Sequence, residues 1–455
     1  VTSPPLVRAL TALGPAYIKF GQLMSTRPDV VGADLALELQ VLQDKLPPFS
    51  TELAKRTISN ELGRSVDEIF AEFSEPVAAA SIAQVHRAKL ADDGRSVAVK
   101  VLRPGVERAF QKDIDAFYLA ADTIELLSPA SRRLRPHDVI EHFESVTAGE
   151  LDLRMETSSA AEFAANTEGD EGFQVPKVEW FMSGRHTMTL GWAEGIPAND
   201  LDAIEAAGHD RVALGTRVLQ LFLNHALRDG YFHADMHQGN LKIAPNGDII
   251  ALDFGIMGRI DEYTRRVYAE ILYGFIRKDY RRVAEVHFEA GYVPQDRDID
   301  EFARALRSVG EPIFGLDASR VSMAKLLAYL FEVTERFGME TRTELILLQR
   351  TMVVVEGVSR SLNPNINIWQ DAKPIVETYI KRNIGPRALL RDLAKTAQVV
   401  GRFGPRLPEI VEAALIRQGE AQADTKHPSK LRTLALVAFG AAAGAGLVLL
   451  VDYLF

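Results

Sequence analysis

The residues best equipped for chemistry lie in one run, Tyr231-Phe232-His233-Ala234-Asp235-Met236-His237-Gln238-Gly239-Asn240-Leu241, and in Ile249-Ile250-Ala251-Leu252-Asp253-Phe254-Gly255 after it. Asp235 and Asn240 stand five residues apart, and Asp253 lies eighteen beyond Asp235, behind an apolar stretch that reads as a strand. For phosphoryl transfer this order supplies a carboxylate to orient or deprotonate the nucleophile, an amide oxygen for a divalent cation, and a second carboxylate to bridge that cation to phosphates. Phosphates also need a fixed positive charge. Val97-Ala98-Val99-Lys100 provides one, because alternate valines on one strand face put Lys100 on the other. An acidic helix residue downstream must then hold the lysine in position. Each piece alone is common; lysine, DxxxxN and DFG in this order together point to a kinase-like nucleotide site. The competing reading is metal-dependent hydrolysis at the HxDxH cluster of His233, Asp235 and His237, but it leaves Lys100, Asn240 and Asp253 without a role. His233 is read instead as a structural residue of the loop, and His237 as a contact to backbone or ligand.

These groups must be held by a chain of 455 residues with 47% hydrophobic content and no cysteine, long enough for more than one structural unit. Without cysteine there is no disulfide, no Cys-ligated metal and no thiol nucleophile, so a metal must be held by oxygen or imidazole. The 62 acidic side chains outnumber 52 basic ones, a net charge of −10 that argues against nucleic acid as a partner. Residues 1–72 read as helices, with a capping box at Ser65 and Glu68. From Val77 the period changes to strands, joined by a turn at Asp92-Asp93-Gly94. Helical stretches follow at Val106–Leu127 and around Val139–Asn166, then a second strand-like group in FQVPKVEWF and HTMTLGW. From Val212 helical patterns dominate, interrupted by Tyr231–Arg259. The expected division is a helical extension at 1–72, a β-containing lobe at 73–200, a helical lobe with the catalytic loop at 201–380, a basic amphipathic and linker region at 381–430, and a terminal segment at 431–455.

Three stretches depart from an ordinary protein kinase. Where a glycine-rich phosphate loop is expected, the sequence reads Val77-Ala78-Ala79-Ala80-Ser81-Ile82-Ala83-Gln84-Val85, which restricts the backbone where glycine would free it. After Asp253-Phe254-Gly255 the chain passes through Ile256–Asp261 into a helix with no Ala-Pro-Glu signature, so a peptide-docking platform is not expected. Upstream, Lys19 and Gln22 share a helix face, with Gly21 between them costing about 1 kcal/mol against alanine in a helix interior, a sign of tight docking.

At the far end, eighteen residues from Leu434 to Val451 carry no charge, and Lys426, His427, Lys430 and Arg432 precede them. At ~1.5 Å per residue this run approaches the roughly 30 Å of a bilayer core. It is expected to enter a membrane with the preceding protein on the cytoplasmic side, which in a bacterium means the inner membrane. Gly440 and Gly444 form a GxxxG that would let two tails pair as a homodimer. Arg387, Arg391, Lys395, Arg402 and Arg406 among apolar residues suit an amphipathic helix on anionic lipid, or equally a solvated helix on its own domain. The start, Val1-Thr2-Ser3-Pro4-Pro5, has neither a signal-peptide pattern nor an initiator Met, which leaves an upstream targeting segment open.

Together, KFGQ at 19–22, AAAS at 78–81, VAVK at 97–100, ELD at 150–152, HADMHQGN at 233–240 and LDFG at 252–255 resemble the UbiB family of atypical kinase-like proteins, relatives of the mitochondrial coenzyme Q kinase-like proteins. The resemblance spans roughly residues 5–365. It implies an α+β, atypical protein-kinase-like fold with a KxGQ extension and a C-terminal membrane helix, the KxGQ helix folding over the nucleotide site. It further implies that Glu150 and Asp152 form the ExD pair that works with Lys19, Gly21 and Gln22 near the metal. Glu156 would be the helix acid that pairs with Lys100. Met236 and Gln238 depart from the family, where prolines are common, which puts loop rigidity in question more than chemistry. The function implied is a membrane-associated ATPase or unorthodox kinase supporting ubiquinone biosynthesis, with ATP or ADP and Mg²⁺ as cofactors. Expected partners are anionic lipid, polyprenyl quinone precursors and other ubiquinone-biosynthesis proteins. Residues 77–85, Lys100 and Glu156 would bind nucleotide, Asn240 and Asp253 metal, and Asp235 would activate water or an acceptor. The alternative is a non-catalytic, nucleotide-switched lipid-binding or scaffold protein. Direct ring hydroxylation has no support, since neither a dinucleotide GxGxxG nor an iron-binding set is present.

Overall fold

The computed structural model describes residues 4–25, 31–39, 41–42, 46–127, 135–315, 333, 336–339 and 343–384. The first helices are α1 (Pro5–Leu13), α2 (Pro15–Ser25), α3 (Ala33–Leu39), α4 (Thr51–Leu62) and the single turn α5 (Val66–Ile69). Ser50 caps α4 by accepting from the Leu53 amide, and Gly63 ends it in the left-handed region at φ 66°. The expected capping box at Ser65 does not form, as its side chain makes no cap hydrogen bond. The chain enters β1 (Phe70–Ala79) earlier than the sequence pattern indicates. The reason is tertiary: Ile69 and Phe70 are buried against Leu90 and the α4 face, and pairing with the next strand outweighs one more helical turn.

The strands β2 (Ala83–Leu90) and β3 (Ser96–Leu102) follow, joined through Asp92-Asp93-Gly94 as expected, with Gly94 at φ 72°. Val97, Val99 and Val101 are fully buried against Ala54 and Ile58 of α4, so Lys100 emerges on the opposite face. Next come α6 (Val106–Leu127), with the bounds read from sequence, then α7 (Pro136–Glu150) and α8 (Leu153–Asn166). The single helix expected around Val139–Asn166 is thus two, broken at Leu151 and Asp152, where Asp152 caps α8 by accepting from the Arg154 amide. The remaining strands are β4 (Phe173–Gln174), β5 (Thr187–Gly191) and β6 (Ile196–Pro197), then, after α9 (Leu201–Ala206) and α10 (Arg211–Asn224), β7 (Tyr231–His233), β8 (Leu241–Ile243), β9 (Ile249–Ala251) and β10 (Met257–Arg259). One antiparallel sheet runs β1-β2-β3-β5; a second runs β4-β9-β8-β6, and β7 pairs with β10.

The helices α11 (Glu262–Arg277), α12 (Tyr280–Glu289), α13 (Ile299–Gly315), α14 (Thr343–Leu362) and α15 (Ile368–Asn383) complete the described chain. α11 starts at Glu262, capped by Asp261, so only a short link separates it from Gly255, in line with the expected lack of a long activation segment. Residues 1–376 form one compact unit and 377–455 a second. Among the described residues no helix is long and apolar enough to cross a membrane. The expected membrane segment at 434–451, its GxxxG and the basic stretch at 387–406 lie outside the described residues.

Candidate functional site

The site is organised by α8. Leu153, Glu156, Ala160 and Phe163 recur at helical spacing on its inward side, so one helix presents a carboxylate to Lys100 and a ring to the core. Lys100 Nζ donates to both Glu156 oxygens at 2.8 Å and lies 3.6 Å from Asp253 Oδ1. Phe163 packs against Phe254 with ring centroids 6.1 Å apart, and Phe254 is fully buried. The helix therefore fixes the lysine through Glu156 and the Asp253 loop through Phe254. Burial opposes the charge on Lys100, but the Asp253 and Glu156 carboxylates, helped by Glu150, outweigh it and hold the ammonium above the ordinary lysine range. Asp253 is held below the usual carboxylate range by Lys100, with the Gly255 amide, His233 and Lys19 adding to the effect. Glu156 is pushed up by burial, against the pull of Lys100.

Asp253 is one of three non-glycine residues with positive φ among the described residues, at 58°. Such a conformation costs of order 1 kcal/mol and is kept where the surroundings enforce it. Here its Oδ1 accepts from the Gly255 amide at 3.2 Å, closing a turn that turns the carboxylate toward Lys100.

The catalytic loop is fixed from behind. His233 is buried, its Nδ1 accepts from the Asp235 amide at 3.1 Å, and its Nε2 donates to the Leu252 carbonyl at 2.9 Å. Burial lowers its pKa, so the ring is neutral and ties the Asp235 loop to the strand before Asp253. This commitment removes it from the HxDxH metal reading, and among the described residues no group of three or more His, Asp or Glu is arranged to hold a metal. His237 accepts from the Gly239 amide at 3.0 Å and lies 3.6 Å from Asp235 Oδ2. Asn240 Nδ2 donates to the Asp235 carbonyl at 3.0 Å and, more weakly, to its Oδ2 at 3.4 Å. With Nδ2 engaged, Oδ1 is the Asn240 atom left to ligate a cation. Lys100 faces Glu156 and Asp253, and Asp235 adds a further carboxylate, so negative charge exceeds positive in the cleft. This excess and the hard oxygen donors Asn240 Oδ1 and Asp253 fit Mg²⁺ shared with phosphates.

The alanine-rich stretch folds as a hairpin. Val77, Ala78 and Ala79 end β1, Ala80 to Ile82 make the turn, and Ala83, Gln84 and Val85 begin β2. The Ala80 amide donates to the Ala83 carbonyl at 2.8 Å. Of the expected phosphate-loop residues, Gln84 has a different duty. Its Oε1 accepts from the Phe49 amide at 2.9 Å and its Nε2 donates to His86 Nε2 at 2.8 Å, so its side chain ties the hairpin to the chain before α4.

α2 brings Lys19 close enough to this site to act on Asp253. Lys19 Nζ is 2.8 Å from Glu150 Oε2, and Phe20 packs on Phe117 and Phe143 of α6 and α7. A Cβ at Gly21 would sit 2.4 Å from Leu42 Cδ1 and 3.0 Å from Leu10 Cδ1, so the missing side chain is what allows the close approach. Gln22 Nε2 makes a long contact of 3.5 Å to the Leu42 carbonyl. Both oxygens of Asp152 bind Arg154, which together with the capping bond holds it below the usual carboxylate range.

A family model described as the ABC1 atypical kinase-like domain matches residues 41–287, over half of the chain. The chain belongs to the ABC1/UbiB family of atypical kinase-like proteins. A UbiB helical domain model matches residues 306–367. The chain is 41% identical over 417 residues to a probable protein kinase UbiB of Aliivibrio fischeri, covering 90% of this chain and 76% of the relative. To the probable protein kinase UbiB of Xanthomonas euvesicatoria it is 38% identical over 466 residues, covering 98% and 84%. Among solved structures it is similar to Rv3197 of Mycobacterium tuberculosis, solved with erythromycin, at TM-score 0.56 and 26% identity over 81% of this chain and 93% of that one. The fold is thus the α+β kinase-like fold of this family. The UbiB-family site also contains residues the sequence reading missed. Thr351 of α14 donates to the Ala234 carbonyl at 3.2 Å, and Gln238 donates to the Ser361 hydroxyl, so α14 braces the catalytic loop on both sides of Asp235. Neither contact has a local sequence signal, since each joins residues more than a hundred positions apart.

Proposed function

We propose that this UbiB-family protein binds ATP or ADP with Mg²⁺ and turns ATP over, by hydrolysis or by transfer to a non-peptide acceptor, in support of ubiquinone biosynthesis at a membrane. The observation that carries the reading is Lys100, held by Glu156 and facing Asp253, beside an Asp235 loop braced on its Asn240 side. Lys100 binds phosphate oxygens, and Asp235 orients and takes the proton of the attacking water or hydroxyl. Asn240 and Asp253 would hold Mg²⁺, which when bound neutralises charge on the phosphates. Anionic lipid, polyprenyl quinone precursors and other proteins of that biosynthesis are the proposed partners, the uncharged segment at 434–451 the proposed anchor, and its GxxxG a proposed dimer contact. The test is phosphate release with and without liposomes, together with nucleotide affinity with and without Mg²⁺. Asp253→Asn should abolish the Mg²⁺-dependent part of nucleotide affinity; an unchanged affinity overturns the assignment.

A second reading is a nucleotide-switched lipid-binding or scaffold protein, favoured by the Lys19–Glu150 pair that holds α2 beside the cleft. Nucleotide-dependent lipid binding without phosphate release, unchanged in Asp235→Asn, would select it over turnover.

A further inference from the structure

Two cations stand at the end of β3 and do different work. Lys100 meets Glu156, whereas Arg103, the first residue after the strand, turns to the tip of the alanine-rich hairpin. Its backbone amide donates to the Ile82 carbonyl at 2.7 Å and its Nε to the Ser81 carbonyl at 3.2 Å. The same guanidinium also reaches the chain before α4. Nη2 donates to the Pro47 carbonyl at 2.8 Å, and the guanidinium carbon lies 5.3 Å from the Phe49 ring centroid. One side chain thus joins the hairpin tip to residues 46–50. A planar fork suits that bridge, because a lysine ammonium concentrates its donors at a single point.

The hairpin is tied to the same residues a second time. Gln84 accepts from the Phe49 amide, and its Nε2 donates to His86 Nε2, whose Nδ1 donates in turn to the Ser74 carbonyl of β1 at 2.8 Å. Ser81, Gln84 and His86 are buried, so these ties are shielded from competing water. The anchor itself is stiff, since Pro47 and Pro48 fix their φ angles. Before it in the chain, Leu42 approaches Gly21 and its carbonyl faces Gln22 Nε2, so the extension that carries Lys19 and Gln22 also carries the anchor. A phosphate loop that closes as a mobile lid needs a free tip, and here two successive carbonyls of the tip are already taken.

We propose that Arg103 is a positioning residue for nucleotide phosphates, clamping the tip of the hairpin at 77–85 to residues 46–50 so that the hairpin meets its ligand already ordered. The clamp gives a fixed shape where glycine would give freedom, and it spares the ordering cost that a mobile loop pays on binding. Arg103 acts through the hairpin backbone and not by touching phosphate. The inference rests on the nucleotide reading of the site.

The test uses the purified full chain, with hydrogen exchange at 79–83 measured without nucleotide and ADP affinity measured by calorimetry with Mg²⁺. Arg103→Met keeps the backbone bond to Ile82 and removes the side-chain donors. Exchange at 79–83 should rise by about tenfold and ADP should bind about tenfold more weakly, the worth of one charged hydrogen bond that must be re-formed on binding. Exchange in α8 should stay within about twofold, which a general loss of stability would not allow. Arg103→Lys, which restores one donor, should recover about threefold of the lost affinity. Should Arg103→Met not fold, Phe49→Leu removes the ring beside the guanidinium, keeps the amide that serves Gln84, and should weaken ADP by about threefold. Unchanged ADP affinity in the folded variants, weaker affinity without faster exchange at 79–83, or no recovery in Arg103→Lys overturns the clamp while leaving the nucleotide reading in place. Failure of the unmodified chain to bind either ADP or ATP overturns the nucleotide reading itself, and the role of the clamp with it.

Discussion

The candidate site around Lys100 and the α2 helix near it are held by different forces. In the cleft, position comes from charge: Lys100 is fixed by two bonds to Glu156 and by the field of Asp253, and the loop behind it by the neutral His233. In α2, position comes mainly from shape. Phe20 packs on Phe117 and Phe143, and Gly21 lets Leu42 and Leu10 approach, with the Lys19–Glu150 pair adding charge. Directional charge contacts suit atoms that must meet phosphates within tenths of an ångström, whereas apolar packing tolerates small sliding. The site around Lys100 should therefore fail abruptly under isosteric changes, and α2 should yield gradually.

The largest break is expected for Asp235→Asn. It should lower turnover by roughly 10²- to 10⁴-fold while nucleotide affinity stays within about threefold, as single-turnover kinetics and calorimetry would read. Next is Glu156→Gln, which leaves Lys100 half-paired in a partly buried setting. A loss of roughly 3 kcal/mol in denaturant unfolding is expected, at the low end for a broken buried pair because Asp253 still faces the lysine. A fall of less than about 1 kcal/mol would show that the pair is solvated, not structural.

The Lys19 link connects the two regions and gives a pH signature. Asp253 has a folded pKa below its unfolded value, so its contribution to stability is present above the unfolded pKa and is lost as pH falls through the folded one. Lys19→Met removes one of the charges that depress it, so that loss should begin at a higher pH, visible in melting temperatures measured across the acid range. The same change should cost about 1 kcal/mol near neutrality through the broken pair with Glu150. The smallest effect is predicted for Gly21→Ala. The new Cβ meets the flexible ends of Leu42 and Leu10, and a gain of about 1 kcal/mol in helix propensity offsets the repacking, so hydrogen exchange in 15–25 should change by less than about tenfold. Wholesale opening of α2 would instead show that its packing is as exacting as the site around Lys100.

The two regions also differ in how far they could be read without a structure. Lys100, Asp235, Asn240 and Asp253 were legible because phosphoryl chemistry demands those groups in that order, and the alternation in VAVK sets which face the lysine takes. The α6 bounds were legible from a long uninterrupted period. The start of β1 was not, because Ser65 and Glu68 signal a helix locally and partners across the sheet override it. The break between α7 and α8 was hidden too, since only the docked helices make Asp152 a cap. Gln84 lies within the phosphate-loop stretch in sequence, yet its amide is consumed by Phe49, thirty-five residues away.

By itself, the sequence determined the chemical groups, their order, the absence of thiol chemistry and the family to which the chain belongs. It could do so because those properties depend on residue type and on spacing within an element. Only the tertiary structure decided that Asp253 adopts a positive φ facing Lys100, that α14 braces the Asp235 loop, and that the Gln84 side chain is taken up by the Phe49 amide. Each of these joins segments distant along the chain, and such contacts are set by the shared burial of apolar surface rather than by any local signal.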